Sequence, residues 1–445
     1  MESPVKYKGF KETLLESTPT NLPIYKTPPT KRYYISIPLS ILCIAFGWHF
    51  FEIFAIKLHQ NSLDFVGYYN YSLLHLFSIF FLSIPSMYLI EIDVSIALIL
   101  SCCLEILSCI FSYLIRYRIL IEFQVFTSIL AMTLFFKSLG KIANLWHLRQ
   151  EKSLVLISFM CFIIFGGGIS LLFYYRKPVE WGTIKKIFAI IKIILISSCL
   201  PFLINPFPDN LLSQSQYERF KYKNNILEQI SPCFFSNWKI IISFSFILSS
   251  FVFLFLSHID PQENMLRTSP LIIGILFFLT IYFVFIVYYY FKKISDYVYL
   301  QKVSLLVGII FYIMLMFYLL ISKKKKYYEI TLFINLIQVF LGFCFILFII
   351  ISYDNLCEEG YPYGESVILS ICEMIISFLS LIMLKIDYNL RSNTYNTNER
   401  WVEILIFLFP FSLGCFLFLP VGENYFKGAS LADLNKLSIT EENTQ

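Results

Sequence analysis

A dozen long apolar runs constrain this chain more than any other feature. They cover Tyr33 to Ile56, Tyr69 to Ile90, Val94 to Ile115, Ile119 to Phe136, Leu154 to Tyr174 and Ile187 to Ile204. A second set covers Ile240 to Leu256, Leu271 to Phe291, Val303 to Ile321, Ile330 to Ile351, Val367 to Leu384 and Val402 to Leu419. Crossing the hydrocarbon core of a bilayer takes about 20 helical residues, close to the length of each run. An apolar segment in lipid must satisfy its own backbone hydrogen bonds, so every run is predicted to be a helix. Composition agrees: 58% of the 445 residues are apolar and 15% charged, against about 25% charged in an average soluble domain. Too little polar surface remains to coat such a core, so a polytopic membrane protein without a separate soluble domain is expected. The first run is too long for a signal-peptide core and lacks a small-residue cleavage site, so it should persist as the first span.

The runs fall into two sixes. Between them residues 205–239 carry Pro206, Pro208, Asp209, Asn210, Glu218, Arg219, Lys221 and Lys223, a polar stretch that reads as a linker. The expected organisation is an N-terminal tail (1–32), a six-helix half (33–204), a central linker (205–239), a second six-helix half (240–419) and a C-terminal tail (420–445). The fold class is therefore all-α, with twelve transmembrane helices in two six-helix halves. This is the layout of parallel-repeat transporters, whose substrate sits between the halves near the midplane. An even number of spans puts both tails and the linker on one side. A slim excess of basic residues makes that side cytoplasmic, with Lys6, Lys8, Lys11, Lys26, Lys31 and Arg32 in the first tail. The run Lys323 to Lys326 then falls on the opposite side, as a solvated helix rim or a contact for anionic lipid.

Other classes are disfavoured by what the chain lacks. A net charge of +5 spread over 35 basic and 30 acidic residues gives no clustered basic face, so nucleic acid is not an expected partner. Most of the 11 cysteines lie in apolar runs, where a thiol packs as a small hydrophobe. No Cys or His spacing suits a disulfide framework or a metal. The run Gly166, Gly167, Gly168 is no phosphate loop, because no strand precedes it and no Lys follows. It serves close helix packing or a gating hinge. A non-enzyme with no cofactor, monomeric in the bilayer, is expected, and no sorting signal distinguishes the plasma membrane from an organelle membrane.

Ionisable groups inside spans cost at least about 2–3 kcal/mol each to insert and are functional candidates by default. Here they are His49 and Glu52 in the first span, His75, Glu105, Lys192 and Glu373. Trp48 and Glu52 are four residues apart and share a helix face. A ring beside a carboxylate suits a cation; the alternative is an inter-helix hydrogen bond from Glu52 with Trp48 as packing.

Three segments resemble one family. Lys141-Ile142-Ala143-Asn144-Leu145-Trp146 with Glu151, the cluster Glu358-Glu359-Gly360-Tyr361-Pro362-Tyr363-Gly364-Glu365, and Ala45-Phe46-Gly47-Trp48 are similar to segments of the feline leukaemia virus subgroup C receptor family, within the major facilitator superfamily. The resemblance runs from about Lys31 to Phe418. It implies twelve-helix facilitators of choline, ethanolamine or haem-related solutes, with Trp48 as one wall of an aromatic cage. Departures fall on polar positions: Ile44 replaces an Asn, Gly47 and Ile164 each replace a Gln, Ser377 replaces a Gln and Glu373 stands in place of Asn. The superfamily's loop between the second and third spans normally holds Gly, Asp and basic residues. Here it keeps Glu91 and Asp93, with no basic partner in the loop. Its counterpart after the eighth span keeps Asp296 and Lys302.

These readings combine into one expectation. The chain is an alternating-access, facilitative transporter of a small organic cation such as choline or ethanolamine. Trp48, His49, Glu52, Phe246, Phe253 and Glu373 bind the solute, and Asp296, Lys302, Glu358 and Glu365 serve the gates. Asp296 is equally a helix N-cap, and Glu358 and Glu365 equally caps of the eleventh helix. Transport of another metabolite, haem-related or not, and a non-transporting receptor or structural role stay open.

Overall fold

The computed structural model describes residues 34–48, 65–113, 118–146, 149–174, 181–204, 226–257, 278, 279, 282, 286, 297–321, 328–360, 363–393 and 399–420. Among them the chain is helical almost throughout. The helices are α1 (Tyr34–Trp48), α2 (Phe65–Ile92), α3 (Val94–Tyr113), α4 (Arg118–Trp146), α5 (Arg149–Tyr174) and α6 (Trp181–Leu203). After the central stretch come α7 (Ile226–Ser257), α8 (Tyr297–Ile321), α9 (Tyr328–Glu359), α10 (Glu365–Asn393) and α11 (Glu399–Phe418). Eleven of the twelve predicted runs thus coincide with a helix. The eighth run, Leu271 to Phe291, has four described residues, 278, 279, 282 and 286, all helical.

Seven of these helices contain stretches long and apolar enough to cross a membrane, among them Ser72–Ile92, Val94–Tyr113, Phe340–Cys357 and Glu365–Leu390. Their outward faces carry large apolar side chains such as Phe81, Ile194, Phe409 and Phe416. Apolar surface on that scale needs a covering, and lipid supplies it. The chain is an integral, multi-pass membrane protein.

Two hydrophobic cores divide the bundle. One is built from α1 to α6, with Leu39, Phe46, Leu98, Phe135 and Ile196 at its centre. The other is built from α7 to α11, with Phe244, Phe253, Phe348 and Phe407, and takes in Leu76 and Met87 of α2. A small third cluster joins Ile157 and Cys161 of α5 to Leu300, Leu347, Ile350 and Ile351 of α8 and α9. The halves therefore meet along α2 with α10 and along α5 with α9.

Local chemistry explains the element ends. Between α2 and α3 the helical pattern breaks only at Asp93, whose carboxylate accepts from the backbone N–H of Ser95 (2.8 Å) and of Ile96 (3.3 Å). That is an N-cap, which satisfies donors the new helix leaves open. Helix α7 starts at Ile226 rather than at Ile240 where its apolar run begins, because a kink at Asn237 (φ −117°, ψ 16°) joins a preceding helical piece to the run. That piece overlaps the expected linker; residues 205–225 lie outside the described residues. Helix α4 likewise continues past Phe136 to Trp146. The run stopped at Phe136 only because Lys137 follows, and the helix carries that lysine into the core.

Glycine sets the closest crossing. A Cβ on Gly47 would strike the backbone carbonyl of Ile163, and one on Gly166 would strike that of Ile44. Helices α1 and α5 thus touch backbone to backbone, the close packing that small residues permit.

Candidate functional site

Among the described residues three ion pairs organise polar side chains within the spans, and their position relative to the seam between the halves separates their roles. The first lies wholly inside the N-terminal half. Lys192 of α6 pairs with Glu105 of α3, and Ser128 of α4 donates to the other carboxylate oxygen at 2.8 Å. All three are buried. Two candidates that looked separate along the chain thus neutralise each other, which is how a buried charge is tolerated. Their role is to tie α3, α4 and α6 together.

A second group bridges the halves where α2 ends and α10 begins. Lys141 of α4 pairs with Glu91 at 2.7 Å and also donates to the backbone carbonyl of Ile90 at 3.0 Å. The Glu91 carboxylate in turn accepts from Ser366 Oγ and lies against Gly364. It therefore sits at the N-terminus of α10, where the helix dipole favours negative charge. A Cβ on Gly364 would collide with that carboxylate, so glycine is what allows the approach. Crossing the other way, Glu365 of α10 accepts from Asn144 Nδ2 of α4. Each half lends a carboxylate to the other. The basic partner missing from the loop after α2 is supplied by α4, and Glu365 is engaged across the seam by Asn144.

A third group lies deeper, two turns along α10. Lys137 Nζ contacts Glu373 Oε2 at 2.8 Å, Ser86 Oγ at 2.8 Å and the Ser83 carbonyl at 3.1 Å. Those three oxygens match the three donors of an ammonium group. Pro85 lies between the two serines, where a missing N–H interrupts the backbone ladder. Lys137 is 1% exposed and Glu373 29%, so the pair is dry on the lysine side and open on the acid side. Tyr353 of α9 closes the group by donating to the Phe136 carbonyl at 2.5 Å. Sequence reading missed Lys137, although Lys137, Lys141 and Asn144 lie at i, i+4 and i+7, one face of one helix.

The remaining candidates are distributed as follows. Trp48 is buried at the end of α1 with its ring edge-on to Phe188 of α6, centroids 5.0 Å apart, and among the described residues its indole N–H has no hydrogen-bond acceptor. Phe253 is fully buried in the C-terminal core, while Phe246 is half-buried on α7. Lys302 is half-buried on α8. His49, Glu52, Asp296 and the side chain of Glu358 lie outside the described residues. Glu373 is thus the binding candidate that the structure places at the seam.

Comparison by sequence finds no match: no family model and no curated protein matches the chain. Solved structures do match. The human organic anion transporter MFSD10 is 12% identical, with a TM-score of 0.53 over 88% of this chain and 100% of that one. The transporter FucP in its outward conformation is 12% identical, with a TM-score of 0.53 over 86% of this chain and 98% of that one. A POT family transporter in complex with a thioalcohol-conjugated peptide is 12% identical, with a TM-score of 0.57 over 88% of this chain and 95% of that one. The fold is that of the major facilitator superfamily. Coverage of nearly the whole length of each neighbour places both halves of the bundle within the comparison. The contacts of Glu91 with Ser366 and of Asn144 with Glu365 join the two halves at one end of the bundle.

Proposed function

We propose that the chain is an alternating-access membrane transporter of a small organic solute, seen with its halves closed at the end where α2 terminates. The observation that carries this reading is the reciprocal bridge between Glu91 and α10 and between Glu365 and Asn144. A seam meant to stay shut is better sealed by apolar packing, because buried ion pairs contribute little net stability. Polar contacts that water can replace suit a seam that opens. Basic-residue counting makes this end cytoplasmic, so the conformation is outward-facing.

For the solute we propose an organic cation such as choline or ethanolamine, held between Trp48 and the carboxylate of Glu373. The resemblance of the Trp48, Asn144 and Gly360 segments to the feline leukaemia virus subgroup C receptor family supports this choice, as does the exposed edge of Glu373. Lys137 already neutralises that carboxylate, so a cation must compete with it. The same fact favours a second solute class, one that carries its own negative group for Lys137.

Counterflow uptake into proteoliposomes tests both readings, with labelled choline, ethanolamine and an amino acid offered in parallel. The cation reading expects choline or ethanolamine to accumulate, with uptake falling at least about tenfold in Trp48→Ala, the scale of a lost cation–aromatic contact in a desolvated site. Uptake of the amino acid instead would favour the second class. Choline uptake indifferent to Trp48→Ala would remove the cage.

A further inference from the structure

One hydrogen bond across the seam joins two uncharged groups. Tyr353 of α9, in the C-terminal half, donates its hydroxyl to the Phe136 carbonyl of α4, in the N-terminal half, at 2.5 Å. The N–H of Gly140 lies within hydrogen-bonding reach of the same hydroxyl oxygen. Phe136 and Gly140 supply the carbonyl and the N–H of one helical rung, four residues apart, and a phenol both donates and accepts. Tyr353 therefore grips the backbone of α4 rather than a side chain. Gly140 makes the grip possible. A Cβ there would lie 3.0 Å from Cys357 Sγ and 3.2 Å from the Tyr353 hydroxyl. The absent side chain is a notch that receives one turn of α9, with Cys357 buried in it.

We propose that Tyr353 and Gly140 form a latch between α9 and α4, and that this latch sets how readily the bridged end opens. The inference rests on the transporter reading, and Tyr353 acts in it as a positioning residue. Phe136 precedes Lys137, which holds Glu373, and Tyr353 lies within electrostatic reach of Glu373. Eight residues separate Phe136 from Asn144, and eight separate Glu365 from Glu373, about 12 Å along each helix. The latch thus stands level with the ion pair of Lys137 and Glu373, deeper than the contact of Asn144 with Glu365. Parting of the halves at this end must break it.

Its chemistry suits repeated release. A buried phenol hydroxyl needs a partner, and when α9 leaves α4 water supplies one, an exchange with a small net change. Parting the neighbouring ion pair is more costly, because each separated charge must be matched or solvated. The backbone groups that Tyr353 holds keep their place in α4 throughout. The latch therefore re-forms at one register, the one in which Cys357 lies opposite the notch of Gly140.

The test uses the full chain in lipid, with exposed Cys103 replaced by Ser and spin labels at Ile96 and Tyr299, both exposed, to follow the width of the seam. Tyr353→Phe keeps the ring and removes the hydroxyl. It should raise the ratio of wide to narrow distances about 2- to 10-fold, the scale of one hydrogen bond. Gly140→Ala should shift the ratio in the same direction. The double variant should shift it by less than the product of the two single effects, because the added methyl displaces the hydroxyl that the other change deletes. Modification of Cys357 by a water-soluble maleimide, located by peptide mass mapping of unlabelled protein, should quicken in step with the ratio. Should Gly140→Ala fail to fold, Tyr353→Phe and the Cys357 rate decide the matter. A ratio and a Cys357 rate unmoved by Tyr353→Phe, or two single effects that multiply as independent sites do, overturn the latch. Choline counterflow in the same preparation separates the readings: uptake with an unmoved ratio removes the latch alone, and a moved ratio without uptake leaves the latch standing while removing the choline assignment. One narrow distance shared by the unsubstituted chain and Tyr353→Phe overturns the latch and the transporter reading together.

Discussion

At the scale of single residues, the chain distinguishes charges that are tied down from charges that are held for release. Glu105 and Lys192 are tied down, buried within one half and completed by Ser128. Removing one partner leaves the other charged and dry, which costs about 3–5 kcal/mol. Lys192→Met should therefore lower thermal stability in detergent strongly, and Glu105→Gln combined with Lys192→Met should restore most of the loss. Equal melting of the single and double variants would contradict the pairing. Gly364 gives the opposite kind of prediction. The atoms a Cβ would strike there are the end of the Glu91 side chain, which can swing aside, so Gly364→Ala should cost little stability while opening the bridge. Faster modification by a water-soluble thiol reagent of a cysteine introduced at Ser366, relative to the same cysteine beside an intact Gly364, is the readout.

Helices show where sequence reading succeeded and where it stopped. The apolar runs located nearly every helix, because lipid imposes one rule on backbone polar groups and that rule is legible as length and hydropathy. The same rule concealed Lys137. Cutting the fourth run at its first charge removed from α4 the stripe of Lys137, Lys141 and Asn144 that reaches the other half. Glu91 looked unpartnered for a related reason, since its lysine lies 50 residues away on another helix. Pairings of that range are set by packing, which a single sequence does not display. The glycine run was read more closely: Gly166 makes the backbone contact with α1 that small residues allow. Here the colliding atoms are backbone carbonyls, which cannot swing aside. Gly166→Val and Gly47→Val should each destabilise the protein by about 1–3 kcal/mol, the usual cost of overpacking. A thermal-unfolding midpoint unchanged in both variants would show that the crossing has slack.

For the whole molecule, one core in each half and a seam that carries polar bridges beside apolar contacts suit two bodies that move against each other. The apolar contacts of α5 with α8 and α9 can slide, while the bridge at the start of α10 must break. Distances between the halves at opposite ends of the bundle test this most directly. Pulsed electron resonance would be measured in lipid on two label pairs: Ile96 with Tyr299 at the bridged end, and Ile110 with Met314 at the other, all four exposed. The account predicts two distance populations for each pair, with the first pair lengthening as the second shortens when choline is varied. A single, unvarying distance for both pairs would contradict it.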